Sequence, residues 1–211
     1  MNPVFEKVSF ELSKQELETL QHLIHQEIYE VYGTKGLCVK YQTPNQYECI
    51  GEIIIDTSTG KILVEYCSAQ LDTVIEGTAG NIYSIALKNY DDYNNYPFKA
   101  VELLNVGGFI VEKIEIFSQN IFIDEPRFPI GALQYNCHPI RADFYSVHLQ
   151  IYAIAEKLIV FHSKDGRSFL VAPTENLNNI ETLIINGSEA VKEELLKLKN
   201  SGAITQRYLL Y

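Results

Sequence analysis

The apolar positions along this chain change their period as it proceeds, and each change marks a new element. In "LSKQELETLQHLIHQEIYEVYG", Leu17, Leu20, Ile24, Ile28 and Val31 recur at three- and four-residue steps, a spacing that lines one face of a helix. Ser13 with Glu16 three residues on has the form of a capping box, in which each side chain satisfies a backbone N–H left orphaned by the first turn. Gly33 stands where a C-terminal stop belongs. The pattern predicts a helix over residues 14–32.

After Gly33 the period falls to two. "GEIIIDTSTGKILVEYC" reads as two strands around a turn at Asp56–Gly60. "GGFIVEKIEIFS" alternates with one irregularity, as a strand does. In "DFYSVHLQIYAIAEKLIVFHSKDGRSFLVAP", Tyr145, Val147, Leu149, Ile151 and Ala153 share one face. Glu156–Lys157 reads there as a tight connection, and Asp165-Gly166 as a hairpin turn, because that pair accepts positive φ. A three-stranded antiparallel meander is expected over 144–172. Setting Gly60 on Gly166 superposes the two hairpins, although any apolar-turn-basic-apolar unit would match as well.

The last periodic segment is helical. Ser188 is the expected N-cap, Val191, Leu195 and Leu198 form the apolar face, and Gly202 stops it. "RYLLY" follows as an apolar tail. "GNIYSIALKNY" fits a short helix or a strand. "SQNIFIDEPRFPIGALQYNCHPIRAD" is broken by Pro126, Pro129 and Pro139, and reads as a surface excursion. The expected fold is α+β: a largely antiparallel sheet built from β-meanders, flanked by an N-terminal and a C-terminal helix. One domain over residues 1–211 is expected, and a split would fall near 89–97.

Charge narrows the function classes. Seventeen basic against 27 acidic side chains give a net charge of −10, which repels nucleic-acid phosphate and anionic membranes. No signal-like N-terminus and no long apolar run occur, so a cytoplasmic protein is expected. Cys38, Cys49, Cys67 and Cys137 include no C-x-x-C pair and read as free thiols. Phosphate-loop, dinucleotide, zinc-protease and nucleophile-elbow signatures are absent, and no cofactor is implied.

Two segments are candidates for function. "NYDDYNNYPF" holds turn formers, two adjacent acids and three tyrosines. Tyr90, Asp91, Asp92, Tyr93 and Tyr96 would bind a basic protein there, the acids by steering and the rings by anchoring. The same rings would equally serve by lying back on the core. "NCHPIRADFYSVH" offers Cys137, His138, Asp143 and His148 as zinc ligands for a metal-dependent hydrolase. Against that, Cys137 and His138 are adjacent and point apart in an extended chain. His22 and His25 lie three apart and would share a helix face; the plainer reading is two surface histidines. His162 reads as a strand-end residue. The function expected from these features is a non-catalytic cytosolic protein-binding module of the immunity or inhibitor type, acting on a basic partner. A metal-dependent enzyme and an assembly subunit using Tyr208–Tyr211 are the alternatives.

Overall fold

The structure is a computed structural model that describes residues 4–33, 38–40, 45–71, 80–89, 101–125, 133–135, 139–140, 149–176 and 179–211. Its strands are β1 (Val4–Phe10), β2 (Glu27–Gly33), β3 (Cys38–Lys40), β4 (Gln46–Ile50), β5 (Ile53–Thr57), β6 (Gly60–Leu71), β7 (Gly80–Asn89), β8 (Val101–Glu125), β9 (Leu133–Tyr135), β10 (Pro139–Ile140), β11 (Leu149–Ser163), β12 (Ser168–Asn176), β13 (Asn179–Asn186) and β14 (Thr205–Leu210). Its helices are α1 (Lys14–His22) and α2 (Ser188–Asn200). The fold is a mostly antiparallel sheet with two helices. β1 precedes α1 and β14 follows α2, so strands rather than helices lie outermost in the described chain order.

Two long strands, β8 and β11, pair antiparallel from Val111 with Ser163 to Glu125 with Leu149. Each carries two further partners in succession along its other edge. On β8 these are β2, opposite residues 101–110, and then β14, opposite 114–118. The hydrogen bonds fix the sides. Val111 exchanges bonds with Gln26 and His25, whereas the Ile110 carbonyl accepts from Lys164 on the β11 side. On β11 they are β1, parallel opposite 149–155, and then β12, antiparallel opposite 159–162.

The changeover on β11 is a β-bulge between Glu156 and Leu158. One extra residue, Lys157, reverses the parity of the strand. Glu156 pairs with Ser118 on one face, and Leu158 pairs with Phe117 on the other. The expected connection at Glu156–Lys157 is therefore corrected: one strand runs through it. The polar pair interrupts the alternation without ending the strand.

The middle stretches of β8, β11, β12 and β13 bury side chains on both faces. One face gives Ile114, Ile116, Ile159, Phe161, Phe169, Val171 and Ile184 to a large core shared with β2, β5, β6, β7 and α1. Phe161 stacks on Phe169 at 4.8 Å, and Phe109 meets Phe169 edge-on at 5.1 Å. The opposite face gives Phe117, Leu158, Val160, Leu170 and Ile185 to a second core, closed by Val191 and Leu195 of α2 and by Ile204.

The first helix is shorter than its periodicity implies. Ser13 and Glu16 form the capping box as expected, and Glu16 also accepts the Leu87 N–H at 2.8 Å, tying α1 to β7. The helix stops at His22, and His25 sits at φ 68° in the turn that follows. Residues 27–33 are a strand. Ile28 and Val31 are buried three apart because a bulge lies between Ile28 and Glu30, not because a helical turn does. β-branched and aromatic residues in "EIYEVYG" favour that outcome.

The turns hold where glycine was needed. Gly60 at φ 141° closes β5 onto β6, and Gly166 at φ 85° closes β11 onto β12. The two hairpins thus share a turn glycine as well as a pattern. β7 resolves "GNIYSIALKN" as a strand, and "RYLL" enters β14 on β8. Gly187, not Ser188, is the N-cap of α2, with no side-chain cap; the Ser188 hydroxyl donates instead to the Gly166 carbonyl at 2.5 Å.

Candidate functional site

Two polar clusters interrupt the apolar faces of β11. The first surrounds Glu156, whose side chain is fully buried. The bulge turns its carboxyl inward, where the Ser118 hydroxyl donates to Oε2 at 2.5 Å. The Ser84 hydroxyl of β7 accepts the Glu156 N–H at 3.1 Å and donates to the Phe10 carbonyl at 2.5 Å. Ser84 thereby pins the layer containing β7 to β11. The remaining carboxyl oxygen of Glu156 has the Arg207 guanidinium at 4.0 Å and no hydrogen bond. Arg207 is engaged by Glu11. Burial consequently raises the Glu156 pKa above the usual carboxylate value, against the hydrogen bonds from Ser118 and the Leu12 N–H.

The second cluster lies across β12, β11 and β8 on the opposite face, toward α2. Ser168 and Lys113 are the cross-strand partners of His162. Residues opposite one another share a face, so register alone aligns them. The Ser168 hydroxyl is 2.9 Å from His162 Nδ1. His162 Nε2 is 3.2 Å from Glu115 Oε1, close but off the line of a hydrogen bond. Lys113 Nζ is 2.6 Å from the same carboxylate oxygen. Burial, and then the Lys113 charge, push the His162 pKa below its ordinary value, and Glu115 only partly opposes them. A neutral imidazole between a hydroxyl and a carboxylate is the arrangement in which a base can take a serine proton.

A third polar feature is a cleft of about 230 Å³ between α1 and the β5–β6 turn, lined by Thr19, His22, Thr57, Thr59 and Lys61 among others. Its side chains are largely occupied: Lys61 pairs with Asp56 at 3.2 Å, and the Thr57 hydroxyl donates to the Gly60 carbonyl at 2.6 Å.

The binding residues expected from sequence, Tyr90, Asp91, Asp92, Tyr93 and Tyr96, lie outside the described residues. So do the alternative zinc ligands Cys137, His138, Asp143 and His148. Among the described residues no group of three or more His, Cys, Asp and Glu side chains is placed to hold a metal. His22 and His25 do not share a helix face: His22 ends α1, and His25 lies past it, with its N–H donated to the Val111 carbonyl. His162 was placed correctly near a strand end, but its neighbours Ser168 and Glu115 were not legible. The signal that finds them is the hairpin register set by Gly166 together with the β8–β11 pairing.

No protein-family model, no curated protein and no solved structure matches this chain. Among the described residues no helix is long and apolar enough to cross a membrane.

Proposed function

We infer that the chain is a protein-binding module for a basic partner, in the manner of an immunity or inhibitor protein. The observation that supports this is the distribution of exposed apolar side chains. Tyr29, Ile110, Leu209 and Tyr211, four of the six exposed large apolar side chains among the described residues, lie on or directly beside β2, β8 and β14, where β2 and β14 follow one another along one edge of β8; the other two are Phe122 on β8 and Leu196 on α2. Tyr211 is 68% exposed although its carbonyl is anchored by Gln21 at 2.8 Å. Rings held by an ordered backbone and left in water make low-entropy anchors. The net charge of −10 supplies long-range attraction for a basic surface. The acidic segment bearing Tyr90, Asp91, Asp92, Tyr93 and Tyr96 is the steering element in this reading.

The test is a capture experiment from host lysate read by mass spectrometry. Wild type is compared with Tyr29→Ser/Leu209→Ser and with Asp91→Lys/Asp92→Lys, each confirmed to melt as wild type does. The expected result is a basic protein retained by wild type, weakened by the first variant and lost earlier with added salt by the second. Equal recovery on all three chains, or an acidic partner, overturns the reading.

A further inference from the structure

We propose that Ser168 is a nucleophile toward acyl esters, with His162 as its general base and Glu115 as the residue that positions the imidazole. The binding reading concerns the exposed side chains on and beside β2, β8 and β14; this inference concerns the polar row at the end of the β8–β11–β12 sheet, which meets that surface where Leu209 pairs with Glu115, and it requires no partner.

Three observations carry the inference. The hydroxyl and the imidazole are already at 2.9 Å, within reach for proton transfer. The carboxylate is on the other side of the same ring, at 3.2 Å from Nε2. That N–H is off the line of a hydrogen bond, and sites without substrate commonly show such loose geometry. Once it is in line, Nε2 holds the proton and Nδ1 is left as the acceptor facing Ser168. Finally, the side chains are held rather than pendant: Ser168 is only 5% exposed, and the His162 side chain 22%.

An ordinary polar ladder would pair Ser168 with His162; here a carboxylate also stands at the far nitrogen of the same ring, and Lys113, directly across from His162, holds that carboxylate at 2.6 Å. The charged groups acting on the ring are Lys113, Glu115 and Glu112, all from β8; β12 contributes the Ser168 hydroxyl. The Gly187 N–H donates to the Ser168 carbonyl at 2.9 Å, which places the start of α2 beside the nucleophile. No side chain caps that helix start.

The step balances without a co-reactant. The Ser168 oxygen forms a bond to the ester carbonyl carbon as its proton passes to His162 Nδ1. The carbon–alkoxy bond breaks, and the leaving alcohol takes that proton. Water then attacks the acyl carbon as one of its protons passes to His162 Nδ1; the bond from that carbon to Ser168 Oγ breaks, Oγ takes the proton back, and the acid is released.

The test uses the full-length chain and a fluorophosphonate probe. Oγ displaces fluoride from phosphorus to leave a stable Ser168 adduct, read by peptide mass spectrometry. Labelling is expected at Ser168 in the folded protein and not in the urea-unfolded chain. His162→Gln should slow it roughly 10²- to 10⁴-fold. Glu115→Gln should slow it less and move the midpoint of the pH–rate profile to lower pH, whereas Lys113→Gln should move it higher. A purely structural ladder predicts neither movement. Absence of a Ser168 adduct on folded wild type overturns the proposal, whatever the variants do. If His162→Gln does not melt cooperatively, an unshifted Lys113→Gln profile overturns it instead. Labelling needs no partner, so its failure and the failure of the binding reading are distinguishable.

Discussion

Glu156 and His162 lie on the same strand, one on each face, and their burial has opposite consequences. Glu156 is sealed between two sheet layers with one carboxyl oxygen unpartnered. His162 is half-buried near the sheet end, with a hydroxyl and a carboxylate at its two nitrogens. Burial penalises the charged form of each. For the acid the charged form is the deprotonated one, and for the imidazole it is the protonated one. A strand that buries both is squeezed from the alkaline side at one residue and from the acid side at the other.

The comparison depends on the bulge, and the largest expected effect comes from removing it. Deleting Lys157 reverses the parity of residues 158–163 and drives Leu158, Val160 and His162 into the wrong core. The expected outcome is no cooperative unfolding transition by circular dichroism. Next in size is Phe169→Ala, which removes the ring between Phe109 and Phe161. It should cost about 3–5 kcal/mol in urea unfolding.

The two titrating residues sharpen the comparison through pH. The Glu156 pKa is raised in the fold, so its stability is complete below the unfolded carboxylate value of 4.5 and is lost as pH rises through the folded value. Glu156→Gln keeps the shape and removes that loss. It should be more stable than wild type by roughly 1–3 kcal/mol in alkaline buffer, on the scale of an uncompensated buried polar group. The gap should close toward pH 4.5. The His162 pKa is lowered, so the sign reverses: stability is complete above 6.5 and falls as pH drops through the folded value. His162→Gln should therefore flatten the acid limb of a melting-temperature profile and leave the alkaline limb unchanged. The smallest effect should come from Lys192→Ala, within about 0.5 kcal/mol, since its pair with Glu189 is solvent-exposed.

What could be read from the sequence was local. The capping box, the glycine turns and the strand alternation each depend on residues within a few positions of one another, and each appears in the structure. Two of the errors occurred where a bulge imitated something else. At Ile28 and Val31 it produced the three-residue spacing of a helix, and at Glu156–Lys157 it looked like a loop between strands. A bulge is set by the partner strand, which sequence adjacency does not reveal. The Ser168, His162 and Glu115 row was invisible for the same reason. Glu115 belongs to β8, and only the register of β8 on β11 brings it beside the imidazole. The segment bearing Tyr90, Asp91, Asp92, Tyr93 and Tyr96 lies outside the described residues, so its role rests on its chemistry alone.

The edge-sharing of β8 and β11 has a consequence for biosynthesis. β8 leaves the ribosome before β11, its partner on one edge, and well before β14, its partner on the other. β1 emerges long before β11 yet must wait for residues 149–155 to pair. A nascent chain therefore carries a strand-forming segment of 25 residues with much of its hydrogen-bonding edge unclaimed, a template for other chains until the last partner arrives. Slow translation after β8 should favour aggregation, and fusions that delay release of residues 205–210 should suffer most.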